Sequence, residues 1–516
     1  MIQLDGASLT IEQLLAIADG GETIALDSGA RARVSVSREV VVRRARSDQP
    51  AYGINTGFGS FAEVKIAPDA LEALQLNLLR SHAAGVGEPL APRAVRATMA
   101  LRANVLAKGF SGISVETLEA LMALVNAGVH PIVPSRGSVG ASGDLAPLAH
   151  LALVLIGEGE AEVAERKERE HRSEENHRRL PGRVALARAG LSPITLGAKE
   201  GLALINGTQP STAVLALAVA DAERLARAAD IAAALSIDAL RGSIHPFEAR
   251  IHAARPFAGQ RTAAANIETL MRGSGINKSH EFCGKVQDAY SMRCAAQVHG
   301  ATREALRFVR ETVAVEANSA TDNPMVFAET GDIVSGGNFH GAPIAIAADL
   351  LAAAIVPIAT ISERRTDRLV DPALSGLPAF LTREGGVNSG FMLAQVTAAA
   401  VASELKTLAH PAGVDTIPTS ANKEDHVSMS MAAALKAQRA VERAREVIAI
   451  EMLCACQAID FLAPLTTSPV LARVHALVRS RVPALDADRS PSPDIAAIIE
   501  LIASRALEDA CDGLVK

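Results

Sequence analysis

The sequence predicts a mainly α-helical fold, a long helical bundle preceded by a smaller mixed N-terminal domain. Three observations predict it. The chain is 49% hydrophobic yet holds only 12 Phe, 2 Tyr and no Trp, so its apolar mass is Ala and Leu, and both favour helices. Beyond residue 195 it is almost continuous apolar patterning at helical spacing, as in "TAVLALAVADAERLARAADIAAALSIDAL", "AADLLAAAIVPIATISERRTDRLV" and "SMAAALKAQRAVERAREVIAIEMLCACQAIDFL". Helices that long and apolar do not bury all their faces easily within one subunit, which points to a bundle shared between subunits.

The elements follow in order. Residues 1 to about 60 mix short β-like runs such as "SREVVVRR" with a helix start at Thr10, whose hydroxyl can accept from first-turn amides. From about residue 68, "PDALEALQLNLLRSHAAG" opens with Pro-Asp and carries apolar residues at helical spacing. A segment at 158–182, "EGEAEVAERKEREHRSEENHRRLPG", is dense in both charges and reads as a solvated protrusion. The expected division is 1–200, an N-terminal domain bearing that insert, and 201–516, a long-helix domain forming the oligomer core.

Charge and composition exclude several classes. A net charge of −6 argues against a general nucleic-acid binder. The run "APIAIAADLLAAAIVPIATI" carries Asp349 and Pro357 and reads as a buried helix rather than a membrane span. The N-terminus lacks the charged and apolar regions of a signal peptide. The five cysteines form no zinc-clip spacing, and an odd count suits a reducing cytoplasm.

Polar, glycine-rich islands punctuate the helices: "YGINTGFGS" (52–60), "SHAAGVGEP" (81–89), "GSVGASGDLAP" (137–147), "INGTQ" (205–209), "QDAYSMR" (287–293), "TDNP" (321–324), "SGGNFHGAP" (335–343) and "TSANKEDHVSMS" (419–430). Both tyrosines of the chain, Tyr52 and Tyr290, fall in them. A phenol in a loop on a helical scaffold suits acid–base work, with an ordinary loop tyrosine as the alternative. The island at 137 packs three glycines and two serines into seven residues before Asp144. It is not a nucleophile elbow, which needs G-x-S-x-G. It is not a phosphate loop, since no Gly-Lys-Ser/Thr follows. Two readings stay open: a flexible loop with Asp144 capping the next helix, or a backbone cyclisation. Gly143 lets its nitrogen approach the Ala141 carbonyl. Ring closure and dehydration of Ser142 would then leave an exocyclic methylene, a strong electrophile made without an added cofactor.

Taken together, these islands resemble the motifs of the aromatic amino acid lyase family, from "YGINTGFGS" to "FLAPLTTSPVLARVHALVRSRVPALDADR", over nearly the whole chain. "GSVGASGDLAPLAH" is similar to the family signature for the autocatalytic 4-methylideneimidazol-5-one group, MIO. The resemblance implies a fumarase/aspartase-like helical subunit in a cytoplasmic homotetramer, with active sites assembled from three subunits. It implies a lyase that removes ammonia from an α-amino acid, with MIO from Ala141, Ser142 and Gly143 as the electrophile that activates the amine, and no external cofactor or metal. The likeness is strongest to members acting on L-histidine, whose product is trans-urocanate.

The resemblance also implies roles. Tyr52 matches the base for the β-proton; a free phenol holds its proton to about pH 10, so the role asks for stabilisation of the oxygen. Arg293 matches the carboxylate clamp, for which a guanidinium supplies two parallel donors. Tyr290 and Asn206 match residues near the MIO ring; Asn206 also fits a helix stop. Gln287 and Phe339 match pocket residues, and Asp144 matches one that supports MIO formation. His82 and Glu424 match the pair facing an imidazole. A carboxylate there accepts from a ring N–H that a phenyl ring lacks, and tyrosine and phenylalanine lyases typically carry Gln at that place. Lys423 departs from the usual Gln and would pair with Glu424 or point to solvent. The alternatives are a tyrosine or phenylalanine lyase or an aminomutase of the same family, a metal-dependent lyase using His82, His340 and His426, and an inactive scaffold.

Overall fold

A computed structural model describes residues 1–163 and 179–516. Helices carry the fold. Strands among the described residues are short and gather in sheets of two or three: Ile2–Leu4 parallel to Ile24–Leu26, Val86–Pro89 against Pro134–Arg136, Met325–Phe327 against Asp332–Val334, and Val129–Pro131, Glu160–Val163 and Leu180–Pro181 in one antiparallel set. The solvated protrusion expected at 158–182 falls mostly on residues 164–178, outside the described residues. The described flanks pair, Glu160 with Pro181 and Ala161 with Leu180.

The chain divides into two compact units. The first comprises Met1–Leu217, Arg310–Ala348 and Pro411–Leu435; the second comprises Ala218–Val309, Asp349–His410 and Lys436–Lys516. Four long helices, Gln209–Ala239, Ala295–Glu316, Ala342–Val370 and Ser430–Phe461, contribute residues to both.

In the first unit the Ile11–Ala18 helix starts at Thr10 as its sequence implies. Thr10 Oγ1 accepts from the Gln13 amide, and the Gln13 side chain reaches back to the Thr10 amide. The β-like reading of "SREVVVRR" is overturned: Ser28–Ala45 is one helix, capped by Asp27, which accepts from the Ala30 amide. Ala30, Val34, Ser37, Val41 and Ala45 are its buried face, three or four residues apart. Burying Val34 and Val41 outweighs the few tenths of a kcal/mol that separate valine from good helix formers. Val40, Val41, Ile54, Leu71 and Val326 form one apolar cluster that fixes the base of the 52–60 island.

The second unit is built on alanine. Ala226, Ala229, Ala233, Ala352, Ala359, Ala444 and Ala455 are all fully buried, so helix backbones approach closely. All five cysteines are free thiols. Burial pushes Cys454 and Cys456 well above the usual thiol range, which leaves them inert. Among the described residues one helix, Ala342–Val370, is long and apolar enough to cross a bilayer, and half of its most apolar window is buried within the protein.

Candidate active site

The Gly137–Gly143 loop runs from the Pro134–Arg136 strand to the Leu145–Leu155 helix, and long-range bonds define its course. Val139 O accepts from the Met429 amide at 2.8 Å. Gly140 O accepts from Ser428 Oγ at 2.8 Å and from the Gly341 amide at 3.2 Å. On the other side, the Asp144 amide donates to Gly207 O at 2.8 Å. Gly143 pairs with Gly207 at φ +68°, where a Cβ would stand 2.2 Å from Gly207 O. No other residue fits there. The Gly residues of this island therefore serve close packing rather than looseness.

Asp144 begins the following helix but does not cap it. Its Oδ1 accepts from Ser138 Oγ at 2.6 Å and its Oδ2 from the Ser211 amide at 2.8 Å, so the carboxyl serves the first turn of the Gln209–Ala239 helix instead. The local-cap reading of Asp144 is thus corrected. Full burial pushes its carboxyl above the usual range, against the pull of its Ser138 and Ser211 bonds. Glu316 is pushed up too, by burial first; Thr208 Oγ1, donating at 2.6 Å, opposes the shift and Asp144 adds to it.

A carboxyl whose folded pKa exceeds its unfolded value favours the fold while protonated. That contribution is complete below the unfolded pKa and is lost as pH rises through the folded one. Melting temperature is therefore expected to decline as pH rises above the ordinary glutamate value of 4.5. Glu316→Gln, neutral throughout, is expected to flatten the decline. A variant with the wild-type slope in a melting series across pH would count against this reading.

Glu424 stands beside the loop. Ser142 Oγ donates to Glu424 Oε1 at 3.0 Å, and Thr419 Oγ1 donates to Oε2 at 2.5 Å. Residues 419 and 424 also bond through their backbones, closing the turn that presents the carboxylate. Lys423, the next residue back, is exposed, the second of the arrangements its sequence left open. His82 ends the Leu71–His82 helix with Nδ1 3.0 Å from Ser81 Oγ. Burial pushes its imidazole below the usual range, while the negative charge of Glu424 draws it back up.

Tyr52 is half-buried, and its ring meets Phe58 edge-on at 6.2 Å. The Gly59 amide donates to the phenol oxygen at 3.2 Å, which leaves the O–H to point elsewhere. Gly53 turns this loop at φ +66°, where a Cβ would overlap Leu202. The Gly59–Phe61 turn lies against Ser420–Asn422, so the tyrosine and Glu424 loops are neighbours.

Asn206 stops the Glu200–Ile205 helix, as "ING" allows, and does more. Its Nδ2 donates to Asn323 O at 2.8 Å, and its buried Oδ1 has no partner among the described residues. Such an acceptor is free to take a donor from water or from a ligand. Asn323 Oδ1 in turn accepts from the Gly336 amide at 2.8 Å, tying the 321–324 island to the 335–343 island that carries half-buried Phe339. Beneath them lies a buried charged group. Lys199 pairs with Asp322 at 3.2 Å, both fully buried, and Arg102 donates to Gln209 Oε1 at 2.7 Å.

Gln287, Tyr290 and Arg293 form their own group in the second unit. The Arg293 guanidinium stacks 4.6 Å from the Tyr290 ring centre, and its Nε donates to Asp288 O at 3.1 Å. Gln287 and Arg293 line a cavity of about 990 Å³ together with Ser243, Met271 and Cys283.

Residues 9–480 match the family model described as aromatic amino acid lyase. The chain belongs to the aromatic amino acid lyase family. It is 55% identical over 507 residues to a histidine ammonia-lyase of Anaeromyxobacter dehalogenans, covering 98% of this chain and 99% of the relative. The crystal structure of histidine ammonia-lyase from Trypanosoma cruzi superposes with a TM-score of 0.91 at 45% identity, over 100% of this chain and 96% of the other. A tyrosine aminomutase from Streptomyces globisporus superposes with a TM-score of 0.92 at 36% identity, over 100% and 99%. The helical fold is thus of the fumarase-like class that aromatic amino acid lyases share.

Aromatic amino acid lyases depend on MIO, and the residues here fit that group. Both flanks of Ala141–Gly143 are pinned, at Val139–Gly140 and at Asp144. Among the described residues, the Ala141 carbonyl and the Gly143 N–H, the two groups that ring closure joins, make no hydrogen bond. Ser138, Gly207, Thr208, Ser428 and Met429 lie in the polar islands but draw no role from the sequence, although all hold this loop or its carboxylates. Thr208 alone left a signal, as a hydroxyl ahead of "QPSTAVLALA". The others act across long separations that no spacing rule reveals.

Proposed function

We propose that the chain is a carbon–nitrogen lyase that eliminates ammonia from L-histidine and releases trans-urocanate, with MIO formed from Ala141, Ser142 and Gly143. The observation that carries this reading is the 3.0 Å contact with Glu424 of Ser142 Oγ, the oxygen that dehydration expels when the ring forms. It supports a carboxylate beside the reacting centre, able to meet an imidazole N–H that a phenyl ring lacks. When formed, MIO supplies an electrophile that draws electrons from the amine. The side chains do the rest. Arg293, its Nε engaged by Asp288, offers its terminal nitrogens to the substrate carboxylate. Tyr52 takes the β-proton on its phenol oxygen, and Tyr290 acts beside the MIO ring. Glu424 and His82 hold the imidazole, Asn206 offers Oδ1 to a donor, and Gln287 and Phe339 line the pocket. Asp144 braces the loop.

The enzyme works as a cytoplasmic homotetramer with shared sites. Exposed Leu393, Val396 and Ile346 on otherwise packed helices support subunit contacts. Five free thiols suit a reducing compartment.

Near-ultraviolet absorbance during incubation with L-histidine, L-tyrosine or L-phenylalanine tests the substrate. A rise with histidine alone is expected. A rise with tyrosine or phenylalanine instead would overturn the role of Glu424. Conversion of the amino acid to its β-isomer would make the enzyme a mutase.

A further inference from the structure

We propose that Arg365 and Glu451 are positioning residues for substrate-carboxylate binding: the pair grips the Tyr290–Arg293 turn by its Ser291 carbonyl and so sets where the Arg293 guanidinium stands. The proposal rests on the carboxylate-binding role given to Arg293 above.

Tyr290–Arg293 is a single helical turn, interrupted at Cys294 before the Ala295–Glu316 helix begins. A lone turn fixes many dihedrals for few bonds and does not hold itself. Its internal bonds are the Met292 and Arg293 amides to Ala289 O, each at 3.0 Å, and the Cys294 amide to Tyr290 O at 2.9 Å. Its Ser291 carbonyl accepts from Arg365 Nη1 at 3.2 Å.

Arg365 is an unusual anchor. It is fully buried on the Ala342–Val370 helix. Its Nε and Nη2 both donate to Glu451, the second at 2.9 Å, and Glu451 is fully buried on the Ser430–Phe461 helix. Ser236 Oγ adds a bond to Glu451 Oε1 at 2.7 Å. One edge of the guanidinium is thus fixed as a fork on the carboxylate, which fixes the direction of the remaining Nη1. A buried ion pair is weak evidence for stability, since apolar side chains of similar volume pack as well. This pair spends its third donor on the turn that carries Arg293. Among the described residues the Arg293 side chain meets the Tyr290 ring and Asp288 O, and Asp288 is held by the Ser243 amide at 2.7 Å.

The full-length enzyme tests this with Arg365→Lys, Glu451→Gln and the charge-free double variant Arg365→Met/Glu451→Leu, which leaves no buried lone charge if the single variants fail to fold. Two inhibitors separate the causes: imidazolepropionate, which bears the carboxylate, and histamine, which lacks it. The expected result is a rise of about tenfold or more in the KM for L-histidine and in the inhibition constant of imidazolepropionate. Turnover should stay within about threefold and histamine inhibition should not move. A lowered melting temperature with both inhibition constants unchanged, or with both moved alike, would overturn the proposal. Arg293→Lys serves as the reference. If it weakens imidazolepropionate and the pair variants do not, the positioning role fails alone; if it too has no effect, the role of Arg293 fails and takes the proposal with it.

Discussion

Ser142→Ala is expected to lower turnover of L-histidine by about 10³-fold or more, a loss of roughly 4 kcal/mol of transition-state stabilisation. The fold should survive. Among the described residues the lost hydroxyl bonds to Glu424, and the loop is held by the Val139 and Gly140 carbonyls and the Asp144 amide, which the substitution leaves in place. The decisive readout is mass rather than rate. The wild-type peptide containing Ala141–Gly143 should be lighter than its sequence by two waters, and the variant peptide should keep its full mass apart from the lost oxygen. A wild-type peptide at unmodified mass, or a variant with near-normal turnover, would remove the MIO assignment.

Glu424→Gln is the second large effect. The variant keeps shape and a carbonyl acceptor but loses the charge that the imidazole N–H meets. A hydrogen bond to a charged group contributes about 1.5–3 kcal/mol, so kcat/KM for histidine should fall about 10- to 10²-fold. Any activity on phenylalanine should hold or rise, because the charge that a phenyl ring cannot meet is gone. A parallel loss on both substrates would mean that Glu424 supports the loop rather than reads the ring. Its bond with Thr419 would then show as a lowered melting temperature of the Glu424→Gln variant.

The helical architecture was open to reading because it is written in periodicity. In Gln209–Ala239 and Ser430–Phe461 the Ala and Leu spacing is itself the packing surface. Ser28–Ala45 was not legible, since three consecutive valines carry a strand signal and only the tertiary core reveals which face they bury. The candidate site was legible as a set of islands, where scarce tyrosines and crowded glycines stand out from the helices. What joins the islands was not. Asp144 meets Ser211 across 67 residues, Ser142 meets Glu424 across 282, and Arg365 meets Glu451 across 86. Side-chain reach in three dimensions leaves no trace in local spacing. Asn206 shows both cases at once: its helix stop is local and readable, and its unpaired oxygen is not.

The anchors of the Gly137–Gly143 loop come from far down the chain: Gly207, then Gly341, then Ser428 and Met429. During synthesis the three residues of this loop therefore precede the groups that hold them, and the loop can take its observed course only after Gly207, Gly341, Ser428 and Met429 have been added and have folded against it. Its local geometry is in this sense a late product of the chain, set by residues made long after its own.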